Sequence, residues 1–421
     1  MIALIMAWGS DVYLYPFLFI ALYFESFFLV TFLSKPARMR RTDTPAPLAE
    51  DAPPVAIVVP CWNEETTVAG TVESLLALEY PQEKLAIILV NDGSTDGTRA
   101  AMDRFSGHPQ ITIIHKENGG KFTAMNIGIE QARDARFIGF LDADSFVAPD
   151  SLREIVASFD GPDTAAVTAS MSIHEPHTIF QRMQYAEYSL AITLRHVFAS
   201  VNGLYVTPGP FSFYRRSIFA ELGVFRHAHL AEDMEMAMRI QRAGLTIGNA
   251  IRARVYTKGP PSLRTLLKQR VRWTTGFLRN VCFDYRDLIG NRKNQVLGFF
   301  ILPFAIAAMG GGIFLFFYSI VKFTERSLHT LSLLQTVPLS YMFSWHPFSW
   351  FYLPITGVAL LGVVSMTSAL VWMTVGKRLS KTPGTLAPNV VLFFLLYGII
   401  APIWLIRSVS DVVRGTHTAW R

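Results

Sequence analysis

Phe137-Ile-Gly-Phe-Leu-Asp142-Ala-Asp144-Ser145 is an apolar strand that runs off its end into two carboxylates one residue apart. An unbroken apolar run is the mark of a parallel strand covered on both faces. Open α/β sheets bind ligands beyond the carboxyl ends of such strands. Two acids there suit a hard divalent cation that keeps several waters and shares a substrate's phosphates. Taken alone, Asp-x-Asp fits an ordinary acidic turn equally well.

Outward from this stretch the chain alternates as an α/β domain does. Strands are expected at Val55–Pro60, Leu85–Val90, Ile111–His115, Phe137–Leu141 and Ala165–Ala169. Helices are expected near Glu64–Leu78, Asp96–Ser106, Gly120–Arg133 and Pro149–Phe159, which predicts a parallel sheet with right-handed crossovers. Thr178–Ser200 and Ala231–Ala243 read as further helices. Ser262–Ile289 mixes leucines at helical spacing with Arg264, Lys268, Arg270, Arg272 and Arg279, the pattern of a helix in the headgroup plane with its cations toward phosphates.

Half of the 421 residues are hydrophobic (51%) and only 17% are charged, too apolar a balance for a purely soluble enzyme of this size. The net charge of +6 comes from cations clustered beside apolar segments, so anionic lipid is the expected partner and nucleic acid is not. Two distant cysteines, Cys61 and Cys282, give neither a disulfide framework nor a zinc site. Four segments approach the roughly 20 residues of a bilayer crossing: Val12–Leu33, Val296–Val321, Trp350–Val375 and Ala387–Ile406. Lys35, Arg38, Arg40 and Arg41 after the first place the N-terminus outside and the chain from Pro36 onward inside. Lys377, Arg378 and Lys381 also belong inside, which three C-terminal crossings satisfy, leaving the tail outside despite Arg407, Arg414 and Arg421. Gly310-Gly311-Gly312 is a candidate break in the second span, and Glu25 is an acid well inside the first. Thr42–Pro54 is a Pro/Ala-rich linker. The expected divisions are 1–35, 36–261, 262–293, 294–410 and 411–421: first span, cytosolic α/β domain, interfacial helix region, C-terminal membrane region and tail.

Several short patterns fall where a parallel sheet would gather them. Asn91-Asp92-Gly93-Ser94-Thr95-Asp96-Gly97 follows the second strand, where an acid serves a base or ribose, with Asp96 as cap of the next helix. Asn118-Gly119-Gly120-Lys121 offers bare N–H groups, a helix N-terminus and a lysine to an anion. Ala231-Glu232-Asp233 opens a helix after the loop His227-Ala-His229-Leu and presents a candidate general base. In Gln269-Arg270-Val271-Arg272-Trp273 an arginine can offset charge on a leaving diphosphate, and a tryptophan face can stack on a sugar. His174-Glu175-Pro176-His177 imitates a metal motif, but lacks the His-Glu-x-x-His spacing and carries a helix-breaking proline. His227 and His229 read as ordinary loop residues.

In this order Asp92, Asp142-x-Asp144, Asp233 and Gln269-x-x-Arg272-Trp273 resemble the D, DxD, (T/E)D, QxxRW signature of family 2 membrane glycosyltransferases. These are the synthases of cellulose, hyaluronan, chitin-type oligomers and poly-β-1,6-N-acetylglucosamine. The resemblance implies a cytosolic GT-A domain, mostly parallel in its sheet, set between transmembrane helices. It implies that Asp92, Lys121, Asp142, Glu64, Gln269 and Arg272 bind the nucleotide sugar, and that Asp142 and Asp144 hold Mg²⁺ or Mn²⁺. Asp233, with Glu232 beside it, would take the acceptor proton, while Trp273, Gly209 and Pro210 would hold the acceptor. Thr207-Pro208-Gly209-Pro210-Phe211 is closer to the Ser-Gly-Pro loop of hyaluronan and chitooligosaccharide synthases than to the cellulose form. Ala231 departs from the usual threonine. The implied reaction is inverting transfer from a UDP-sugar, UDP-N-acetylglucosamine first, to a growing polysaccharide in the inner membrane. Single addition to a lipid or short glycan is the alternative, and an accessory subunit is possible.

Overall fold

The computed structural model describes residues 14–34, 51–333 and 357–416. The basic cluster Lys35–Arg41, most of the expected linker, the start of the third expected span and the end of the tail lie outside the described residues. In chain order the elements are α1 (Tyr15–Ser34), β1 (Val55–Cys61), α2 (Val68–Leu76), β2 (Leu85–Asp92), α3 (Thr98–Asp103), β3 (Ile111–Lys116), α4 (Lys121–Gln131), β4 (Phe137–Phe140), β5 (Ser145–Val147), α5 (Ser151–Val156) and β6 (Thr164–Ile173). Then follow α6 (Ile179–Ser200), β7 (Ser212–Arg215), α7 (Ser217–Glu221), α8 (Glu232–Arg242), β8 (Thr246–Thr257), α9 (Leu263–Arg279), α10 (Leu302–Leu333), α11 (Gly357–Ser380) and α12 (Ala387–Val413).

The strands form one eight-stranded sheet in the order β3-β2-β1-β4-β7-β6-β8-β5. β3, β2, β1 and β4 are parallel, with Val55 opposite both Leu85 and Phe137. The sheet is covered on both sides, which is why β1 reads as unbroken hydrophobicity. Val55, Ile57 and Val59 enter one core with Ile87 and Leu89, while Ala56 and Val58 enter the other with Ile88 and Val90.

The sheet is mostly parallel, as expected, and carries three antiparallel pairings that the sequence pattern did not place. β7 runs antiparallel to both β4 and β6, and β5 runs antiparallel to β8. β5 and β7 span three and four residues, too short for a periodic signal. The pattern of β8 is polar and half-buried, because it lies toward the sheet's edge.

Among the described residues three helices are long and apolar enough to cross a membrane: Tyr15–Ser34, Leu297–Leu333 and Ala387–Val413. α11, 24 residues long, lies where the third span was expected. The anticipated break at Gly310–Gly312 is absent. α10 passes through it as helix, and a Cβ on Gly311 would lie 2.9 Å from the Phe17 ring of α1. The glycine permits close helix approach, as small residues do in membrane bundles. The helical irregularities sit earlier, as π-helical turns at Asn280–Asp284 and Leu297–Ile301. Glu25 has partners in the bundle: Ser368 Oγ and, at 3.1 Å, Trp372 Nε1 both donate to it, fastening α1 to α11.

α9 begins with a reciprocal cap between Ser262 and Thr265 and packs Leu266 and Val271 against Ile400, Ala401 and Trp404 of α12. Its cations do not all turn outward as expected. Arg270 and Arg279 are buried, the first paired with Glu187 at 2.6 Å, the second donating to Thr416 O at 2.6 Å.

Candidate active site

The carboxyl ends of β1, β2 and β4 open onto a cleft of about 260 Å³. Its walls include every candidate residue of the sequence: Glu64, Asp92, Lys121, Asp142, Asp144, Gly209, Pro210, Glu232, Asp233, Gln269, Arg272 and Trp273. Residues that are distant along the chain thus meet because four segments end at one place: the parallel strands, the Thr207–Phe211 loop, the start of α8, and one face of α9.

Asp92 is buried, and its carboxylate faces the Gly119–Gly120 turn. Gly119 N donates to it at 3.0 Å and Gly120 N at 2.9 Å, with Lys116 Nζ as a third donor. Asn118 Nδ2 also reaches the Asp92 carbonyl at 2.9 Å. The anion held by this glycine turn is therefore a protein side chain, which corrects the expectation that its N–H groups stand free for a ligand. Gly120 needs its left-handed φ of 90° to turn both amides inward. The turn in turn sets Lys121 at the head of α4.

Lys121 Nζ donates to Asp142 Oδ1 at 2.5 Å. Burial would lower its pKa, but the charges of Asp142, Glu232 and Asp233 prevail and hold the ammonium well above its usual value. Gly209 lies over this pair. A Cβ there would stand 3.0 Å from Lys121 Nζ and 3.1 Å from Asp142 Oδ2, so only glycine fits without displacing them.

Asp144 accepts from Ser145 Oγ at 3.0 Å. Burial, then the charges of Asp142 and Glu64, push its carboxyl up to about 7, against the pull of Ser145 and Lys121. Two neighbouring carboxylates, with one lysine beside them and Glu64 nearby, offer the hard oxygens that fit Mg²⁺ or Mn²⁺. Among the described residues no group of three or more His, Cys, Asp and Glu could hold a metal ion by itself.

Asp233 enters from the opposite side at the first turn of α8. Its Oδ1 accepts from Met234 N at 2.8 Å, and its carbonyl accepts from Thr207 Oγ1 at 2.7 Å. Burial and then Glu232 raise the carboxyl to about 6, while Lys121 and Arg272 oppose them. The preceding loop is strained: Ala228, His229 and Leu230 all have positive φ. It is held by Arg272 Nη1 on Leu230 O at 3.0 Å and His229 Nε2 on Asp284 at 3.1 Å. Ala231, the departure from threonine, packs on α9, where a Cβ at Gly276 would come within 2.6 Å of its own. A larger residue at 231 would press on that helix.

On α9, Trp273 lies against the sheet core, and the Arg270 guanidinium stacks 4.8 Å from its ring. Gln269 Oε1 is buried and finds no partner among the described residues. Sequence reasoning missed Cys61 and Trp62 at the end of β1, Tyr188 on α6, and Lys258, which also line the cleft. The carboxyl-end rule would have found the first two, since β1 is central in the parallel block. Arg195 lies two turns beyond Tyr188 on α6. Its Nε and Nη2 are buried without a partner, and burial lowers it to about 10 against the pull of Tyr188 and Tyr205. His174–His177 is a loop leading to α6, with His174 N bonded to Thr257 O at 2.8 Å.

Residues 53–276 match the family described as glycosyltransferase like family 2. The chain belongs to that family. It is 28% identical over 319 residues to the poly-β-1,6-N-acetyl-D-glucosamine synthase of Staphylococcus epidermidis, covering 75% of this chain and 74% of that one. The synthase of the same name from Staphylococcus aureus strain COL is 28% identical over 253 residues, 59% of this chain and 60% of that one. A mannosyltransferase from Pyrobaculum calidifontis, solved with GDP-mannose and Mn²⁺, superposes with a TM-score of 0.54 at 18% identity, covering 95% and 99% of the two chains. That likeness is one of fold: a mixed, mostly parallel GT-A sheet flanked by long apolar helices.

Proposed function

We infer that this family 2 glycosyltransferase transfers a sugar from a UDP-sugar, UDP-N-acetylglucosamine first, to the end of a β-linked polysaccharide at the cytosolic face of the membrane. The observation that carries the reading is the meeting of two separate groups of acids across one cleft. Asp142 and Asp144 lie at the strand ends, and Asp233 enters from α8 beside Trp273.

A bound Mg²⁺ or Mn²⁺, held by Asp144 and Asp142, would neutralise the donor's diphosphate and ease its departure. Lys121 and Arg272 add fixed positive charge on that side. Asp233, its carboxyl raised toward neutrality, accepts the proton of the acceptor hydroxyl as that oxygen attacks the anomeric carbon from the face opposite UDP. Trp273 carries the acceptor ring, and Gln269 Oε1 supplies a waiting acceptor for a sugar hydroxyl or amide N–H. Asp92 acts by shaping the Gly119–Lys121 turn.

Membranes carrying the protein, given a panel of radiolabelled UDP-sugars, test this reading. Long polymer from UDP-N-acetylglucosamine supports it, a single-sugar product selects the non-processive alternative, and no incorporation from any donor rejects both. For single addition speaks the number of helices long and apolar enough to cross a membrane, three among the described residues, which supply little wall for a polymer channel.

A further inference from the structure

α12 is apolar enough to span a bilayer, yet both its ends touch the catalytic domain. At its start, Tyr185 OH donates to Pro383 O at 2.5 Å, and Pro388 and Asn389 share a cavity with His174 and Tyr256. In its middle, Ile400, Ala401 and Trp404 pack on Met183, Leu266 and Val271. At its end, Ser408 Oγ reaches Val271 O at 3.4 Å, and Arg279 donates to Thr416 O. Arg407, Asp411 and Thr416 also wall a groove of about 1090 Å³ shared with Glu64, Asp144 and Lys258.

A helix of 27 residues is about 40 Å long. If it crossed, one end would sit roughly 30 Å from the leaflet that faces the catalytic domain. Here the helix instead follows α9 in parallel and α6 in reverse. Its outward face carries Val391, Leu395, Ile399 and Ile403, each more than 40% exposed and four residues apart. That is one apolar stripe along a helix whose other faces pack on α6 and α9 and, through Val390 and Leu405, on α11 and α10.

We propose that α12 lies along the membrane surface on the catalytic side, buries this stripe among lipid acyl chains, and returns the C-terminus to the side of the cleft. The chain then crosses three times, through α1, α10 and α11. Arg407 and Arg414 fall on the same side as Lys377 and Arg378, as the positive-inside rule requires. The arrangement is independent of which sugar is transferred. It means that Trp273 and Asp144 are flanked by a helix in contact with lipid.

Two measurements on the full-length protein test it. Nitroxide labels at Val391→Cys, Leu395→Cys, Ile399→Cys and Ile403→Cys, in a Cys282→Ser background with buried Cys61 retained, report depth in phosphatidylglycerol-containing vesicles. An in-plane helix places all four at one shallow depth, about 5–10 Å below the headgroups. A crossing helix changes depth by about 6 Å from each label to the next, and that progression would overturn the proposal. Separately, a cysteine appended after Arg421 should react with an impermeant maleimide in the same vesicle orientation that exposes native Cys282. Labelling only in the opposite orientation refutes it.

Discussion

Removing the carboxylate of Glu187 is a sharp perturbation of how Trp273 is held. Glu187 on α6 pairs with Arg270 on α9 at 2.6 Å, and the two side chains are only 15% and 10% exposed. Arg270 also stacks on Trp273 at 4.8 Å and faces Trp404 at 5.8 Å, so the pair ties α6, α9 and α12 together beneath the cleft. Breaking a buried pair by deleting one partner strands the other charge and costs about 3–5 kcal/mol. The cation–π contact, about 2 kcal/mol when desolvated, outlasts the change but no longer has its geometry fixed. At roughly 1–2 °C per kcal/mol for a chain of this length, Glu187→Gln should lower the melting midpoint by about 5 °C in detergent. Glu187→Leu combined with Arg270→Met should recover most of that loss, since packed apolar residues replace a buried pair at little cost. On the proposed reading, in which Trp273 carries the acceptor ring, Glu187→Gln should raise the acceptor KM several-fold while the donor KM stays put. Melting within about 1 °C of wild type, a double variant no better than the single, or a selective loss of donor affinity would each refute the reasoning.

Other consequences follow from the same geometry. Asp233→Asn should abolish transfer yet retain UDP binding, read by product formation beside nucleotide titration; near-normal product would end the base assignment. In the wild type the rate should fall as pH drops through about 6, because Asp233 can accept a proton only when ionised and its carboxyl is raised to that value. The stability sign is opposite: a raised carboxyl binds its proton more tightly folded than unfolded, so ionising it destabilises the fold, and Asp233→Asn should gain stability over wild type at pH 8 but not at pH 4. Gly209→Ala should weaken donor binding at least tenfold by pressing on the Lys121–Asp142 pair, with the melting midpoint little changed; unaltered affinity would show that the pair has room to move. Chelation of divalent metal should stop turnover and Mn²⁺ or Mg²⁺ should restore it, as followed by UDP release.

Much of this was legible in the residues themselves. Strand-end acids announce their location because a parallel sheet aligns its carboxyl ends, so Asp92, Asp142 and Asp144 were bound to share an edge. The helix-borne Asp233 and Trp273 carry no such guarantee; motif order placed them together, and the long-range packing of α8 and α9 accounts for it. Asp92 shows where residue types mislead, since the Gly119–Gly120 amides meet a side-chain carboxylate rather than a ligand. The antiparallel insertion of β7 escaped notice because four residues cannot display a period. Hydropathy found α12 but could not tell a helix across the bilayer from one along it, because one-dimensional apolarity is blind to which face the protein covers.

The direct test of the account is calorimetric titration of UDP into purified protein with Mn²⁺ present, for wild type and for Asp142→Asn/Asp144→Asn. Metal-dependent binding in the wild type and its loss in the double variant are expected. UDP binding of equal strength in both proteins, or none in either, would contradict the claim that this cleft holds a nucleotide sugar through its paired acids.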